Sequence, residues 1–310
     1  MIRLLFNISI LTMIVSSVLN SCSTAGHDAG TADSRNRFAY DMNSPDNGYE
    51  LEPILREISG ISWYGHNKIA CIQDELGIIY LFDEGSGEIS DSYTFGKHGD
   101  YEGIAVYQDT AWVLESNGTI YKVTNFTDDN RKTFIFKTPL SARNDAEGLV
   151  YDVSKNNLLI ACKNHPSIDE GKKLSGFKAI YRFETHGNKL KEKPEYLIDH
   201  KWFNDFEETK YFKKVSLDLA KKLQLAENTV FNPSGLAIHP FDDDIYIISA
   251  TPGRLIVMSR DGKIRYIQTL DKRIFRQPEG ICFSPDGDLY ISNEGNNGRG
   301  NILKFKYRPK

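Results

Sequence analysis

The chain has 310 residues, 40% hydrophobic and 26% charged, a composition that suits a folded domain and excludes a low-complexity protein. Its formal net charge of −4 offers no basic field, so no nucleic-acid partner is expected. The 16 tyrosines and 17 phenylalanines favour β-sheet.

The N-terminal segment reads as targeting, not fold. Arg3 gives a positive start, and an apolar run over residues 4–19 is broken only by Asn and small hydroxyl residues. Leu19-Asn20-Ser21-Cys22 follows and resembles a bacterial lipoprotein lipobox, whose cysteine is lipidated and becomes the new N-terminus. An ordinary secretory signal and a membrane-spanning helix are the alternatives; the run is short for a span. The expected organisation is a lipoprotein signal peptide over 1–21, a lipidated Cys22, a Ser/Thr/Ala/Gly/Asp tether over 22–37, and one folded domain over 38–310. The expected location is the bacterial cell envelope, lipid-anchored to the outer membrane on its periplasmic or surface face. Cys71, Cys162 and Cys282 are too few and too far apart for a disulfide framework and read as small buried hydrophobes.

Within the domain one phrase recurs five times. It appears as Glu57-Ile58-Ser59-Gly60-Ile61, Asp100-Tyr101-Glu102-Gly103-Ile104, Asp145-Ala146-Glu147-Gly148-Leu149, Asn232-Pro233-Ser234-Gly235-Leu236 and Gln277-Pro278-Glu279-Gly280-Ile281. The glycines are spaced by 43, 45, 87 and 45 residues, a period typical of propeller blades. After each phrase come short apolar runs separated by turns. In the second unit these are 103–107, 110–114, 119–124 and 132–138, with Asn117-Gly118 as a tight-turn signal.

The 87-residue gap holds four strand-like runs and then residues 199–230, where Val215, Leu219 and Leu223 share a helical face. It therefore reads as one blade plus a partly helical insertion near 200–230. The last unit shows three strands, and residues 37–50 are expected to add the fourth, which removes two sheet edges. The predicted fold is all-β: a five-bladed propeller of four-stranded antiparallel blades, closed by an N-terminal strand.

These phrases, with Arg56, Gln73-Asp74-Glu75, Gly99 and Asn144, resemble the SdiA-regulated (YjiK-like) family of bacterial envelope proteins over roughly residues 45–308. The resemblance implies a five-bladed propeller with a calcium site and an unsettled biochemical role.

The repeat also places polar residues at fixed positions. Three residues before each glycine stand Glu57, Asp100, Asp145, Asn232 and Gln277; one before stand Ser59, Glu102, Glu147, Ser234 and Glu279. If the segments are extended, both sets share a face and point to the axis. Converging carboxylates repel unless protonated or bridged by a cation, and an all-oxygen, loop-built set suits Ca2+ better than Mg2+. The competing reading is structural: each Glu bonds a neighbouring backbone and each Gly allows a tight bend. The expected ligands are Glu57, Glu102, Glu147, Asn232 and Glu279, with Ca2+ as cofactor.

No catalytic residue is assigned. His98 is the best base candidate, though an exposed loop histidine is the preferred reading of it, and Arg299 in a glycine-rich loop is a candidate anion contact. Asp74, Glu75 and Glu115 follow second strands and are expected near the same mouth. Two functions fit: a calcium-stabilised module binding a small molecule or envelope protein at the channel mouth, or a metal-dependent hydrolase of lactonase or phosphoesterase type.

Overall fold

The computed structural model describes residues 38–172, 174–203 and 231–309. The expected signal peptide, Cys22, the tether and most of the 200–230 insertion lie outside the described residues. No helix among the described residues is long and apolar enough to cross a membrane.

Five antiparallel sheets stand in a ring, as the repeat predicts. The first blade is β2 (Ile58–Gly65), β3 (Lys68–Gln73), β4 (Leu76–Asp83) and β5 (Glu88–His98). The second is β6 (Tyr101–Tyr107), β7 (Thr110–Glu115), β8 (Ile120–Thr124) and β9 (Lys132–Phe136). The third is β10 (Ala146–Asp152), β11 (Asn157–Cys162) and β12 (Phe177–Glu184), with its outer position shared by β13 (Lys189–Leu190) and β14 (Tyr196–Asp199), both paired to β12. One fourth strand was expected there; the structure divides it in two.

The fourth blade is β15 (Pro233–Ile238), β16 (Ile245–Ser249), β17 (Arg254–Met258) and β18 (Ile264–Thr269). The fifth is β19 (Pro278–Phe283), β20 (Leu289–Asn293) and β21 (Asn301–Phe305), completed by β1 (Asn47–Glu50). Glu50 pairs with Asn301 and Asn47 with Lys304, so the N-terminal strand closes the ring and covers the β21 edge.

Burial follows position in the blade. β11, β16, β17, β19 and β20 are buried throughout, because a neighbouring blade covers each of their faces. The outer strand β5 alternates exposed and half-buried residues. Five apolar clusters result, one between each pair of adjacent blades. Cys71, Cys162 and Cys282 are free thiols inside them.

The phrase glycines set the width of the axis. A Cβ on Gly60 would lie 2.7 Å from the Ile104 nitrogen, and one on Gly103 2.9 Å from the Glu147 carbonyl oxygen. One on Gly235 would lie 2.5 Å from the Glu279 carbonyl oxygen, and one on Gly280 2.6 Å from the Ser59 carbonyl oxygen. Each glycine thus lets its innermost strand press against the next phrase around the ring. Close backbone approach, not a tight bend, is what demands glycine here.

Candidate functional site

The residue before each phrase glycine is special in the ladder. In β6, β10, β15 and β19 the pairing register skips it, leaving Glu102, Glu147, Ser234 and Glu279 as β-bulge residues. In β2 the skip covers Ser59 and Gly60. A bulge frees a residue from the two-residue alternation and re-aims its side chain. Glu102, Glu147, Ser234 and Glu279 therefore line an axial pinch of about 10 Å3, room for a single water-sized occupant.

The bulge also separates the two sets of polar residues. The expectation that both share one face assumed unbroken extension, and the bulge breaks it. Glu57 is part-exposed and accepts from Arg56 at 3.1 Å. Asn232 donates through Nδ2 to the Thr251 carbonyl at 3.1 Å. Neither lines the pinch. Asp100 accepts from the Ser116 hydroxyl, and Asp145 accepts from Asn164 at 2.9 Å.

The three pinch glutamates are electrostatically unhappy together. Burial, then Glu147, Asp100 and Glu279, push the Glu102 carboxyl well above the usual range. Burial first and then Glu147 and Glu294 push Glu279 up to about 8. Glu147 is also raised by burial, although Lys163 opposes the shift. The Lys163 ammonium donates to Glu147 at 2.5 Å. Burial works against that charge, but Glu147, with Glu279 and Asp145 behind it, more than offsets this and raises the Lys163 pKa. Lys178 fixes the Lys163 backbone by donating to its carbonyl.

A second layer lies at the ends of the second strands. The backbone N–H groups of Asp74, Ser116, Lys163 and Glu294 donate to the carbonyls of Glu57, Asp100, Asp145 and Gln277, so all four occupy equivalent places. Burial, then Glu57 and Glu75, raise Asp74; burial, then Asp74 and Glu57, raise Glu294 to about 7. Gln277 donates to Glu294 at 2.6 Å. Lys163 and Glu294 were missed by sequence reasoning. The signal for them was that register: the first residue past each second strand.

None of the other candidates lines the pinch. His98 ends β5, the outermost strand of its blade, and is exposed. Glu75 is exposed, and Glu115 accepts from Tyr121. Exposed Arg299 belongs to a loop tied to the first blade, where Gly295 N–H donates to the Arg56 carbonyl.

The family model for SdiA-regulated proteins matches residues 39–297. The chain belongs to the SdiA-regulated family. No curated protein matches it. Among solved structures, glutaminyl cyclase of Myxococcus xanthus is similar at TM-score 0.54 and 9% identity, covering 86% of this chain and 97% of that one. Virginiamycin B lyase of Staphylococcus aureus is similar at TM-score 0.43 and 14% identity, covering 83% and 69%. At such identities the likeness is one of fold alone.

For this SdiA-regulated protein the donor set can be weighed against a cation. Among the described residues, no three His, Cys, Asp or Glu side chains stand together as a ready-made metal cluster. The chemistry nonetheless fits a hard divalent ion: oxygen donors only, burial and neighbouring carboxylates that raise every pinch carboxyl, and one ammonium against three carboxylates. Glu102, Glu147 and Glu279 would be the residues to hold such an ion, with Ser234 beside them.

Proposed function

We propose that this protein is a calcium-binding propeller of the cell envelope, lipid-anchored through Cys22, that binds a small molecule or envelope protein at the carboxylate mouth. The observation that carries the calcium reading is the pinch itself: three bulge glutamates, each raised by burial and by neighbouring carboxylates, with Lys163 as partial counter-charge. A calcium ion would neutralise the excess and draw the carboxylates in. Glu57 and Asn232 are left for outer contacts, through water.

A melt with and without EDTA tests this. Calcium bound only to the folded state stabilises it by about 2.7 kcal/mol at a hundredfold excess over Kd. Chelation should lower Tm, and Glu147→Gln should remove that sensitivity. For the anchor, Cys22→Ala should release the protein from the membrane fraction on cell fractionation; retention with unchanged lipid refutes it.

Metal-dependent hydrolysis is the second reading. One observation favours it: Glu294, beside the pinch but not among its glutamates, is raised by burial and by Asp74 to about 7, where a carboxyl can exchange a proton near neutral pH. A lactone and phosphoester screen with and without EDTA separates the two, since EDTA-sensitive turnover by pure protein makes it an enzyme.

A further inference from the structure

The opposite end of the channel differs wholly from the carboxylate end. Just past the phrase glycines, Ile61, Ile104, Leu149, Leu236 and Ile281 form a ring of apolar side chains common to both hollows. Beyond it the innermost strands open into a cup of about 370 Å3. That is at the small end of ligand-site volumes, about 300–1,000 Å3.

Every residue lining the cup is uncharged. Its walls come from Trp63, Val106, Ile238 and Phe283 at matching places in four of the innermost strands, and from Val150 in the third blade. Val153 stands on the rim at 61% exposure. The cup offers an ion no counter-charge and a mostly apolar wall, so a neutral guest is favoured over a charged one.

Tyr107 and Gln108 also line a second hollow of about 300 Å3 on the flank of the second and third blades. There Tyr107 stacks on Tyr151 with centroids 4.6 Å apart and planes 9° apart. Thr110 and His186 add hydrogen-bonding groups; Asn156 Oδ1 already accepts from the Tyr151 hydroxyl, the Thr185 hydroxyl already donates to the Asn156 carbonyl, and Lys122 is already held over the Trp112 ring at 4.9 Å. An apolar cup thus adjoins a polar, aromatic shelf across one tyrosine.

We propose that this mouth binds a small neutral amphiphile, its apolar body in the cup and its hydrogen-bonding head group on the shelf beyond Tyr107. The apolar ring, shared by both hollows, stands between the guest and the glutamate pinch, so the guest needs no contact with calcium to bind.

The experiment titrates the folded protein with n-octyl β-D-glucoside below its micelle-forming concentration, by calorimetry, and with N-phenyl-1-naphthylamine by fluorescence. Both should bind saturably at one site, equally with calcium and with EDTA. Val153→Asp, at an exposed position that leaves the melt intact, should weaken both at least about tenfold. His186→Ala should weaken the glucoside and spare the naphthylamine. The proposal is overturned by non-saturable uptake, by binding that Val153→Asp does not change, by binding lost in EDTA, or by a His186→Ala effect common to both probes. Binding only to phosphatidylcholine vesicles, with none to monomeric amphiphile, overturns it in favour of a membrane-facing surface.

Discussion

The Lys163 ammonium meets Glu147 at 2.5 Å, in the place where a divalent ion would take that carboxylate. The lysine and the ion are therefore competitors. Lys163→Met keeps the apolar stem and removes the charge, so calcium affinity should rise at least about tenfold in a calorimetric titration. Metal-free Tm should fall, because Glu147 loses its partner. An unchanged affinity would mean that Glu147 does not bind the ion. Glu279 gives a pH prediction. Its folded pKa, about 8, lies above the ordinary glutamate value of 4.5. The folded state thus holds a proton that the unfolded chain has released. This contribution is fully present below pH about 4.5 and is lost as pH rises through about 8, at about 1.4 kcal/mol per pH unit. Urea melts in EDTA should show stability falling over that window, and Glu279→Gln should flatten the fall. A wild-type profile that rises with pH contradicts the assignment.

The β-bulge is the element that turns a repeat into a site. It takes the residue before the glycine out of the ladder and aims it at the axis, while the glycine brings the next blade to within backbone contact. Gly235→Ala puts a methyl group 2.5 Å from the Glu279 carbonyl oxygen. It should cost about 1–3 kcal/mol in a denaturant melt and weaken calcium binding, since the Glu279 bulge must shift. A variant as stable as wild type would show that the strands have slack. The blade count, the N-terminal closure and the three pinch glutamates were legible in the sequence, because the phrase fixes blade phase. The bulge was not, since register is a relation between two strands and the phrase occupies only one. This is why Glu57 and Asn232, three residues before their glycines, were expected to share a face with Glu102. Lys163 was hidden for the same reason: it belongs to a second strand and carries the opposite charge to Asp74 and Glu294 at the matching positions.

At the scale of the molecule, the ring is held by five interfaces between blades and one strand exchange. β1 pairs with β21, and Tyr40, Met42 and Leu51 around it are buried. A chain lacking residues 1–51 should expose the β21 edge and that apolar surface. It should lose the cooperative melt and aggregate in light scattering; a soluble, cooperatively melting variant would mean that the closure is dispensable. The two ends of the channel then have separate chemistries, carboxylate at one and apolar at the other. The most direct test of the central claim is a calorimetric titration of calcium into EDTA-stripped protein, with Glu279→Gln alongside. One saturable site, lost in the variant, is the predicted result. No heat of binding in the wild type, together with a melt indifferent to calcium, would contradict it and leave the three glutamates held by protons and Lys163 alone.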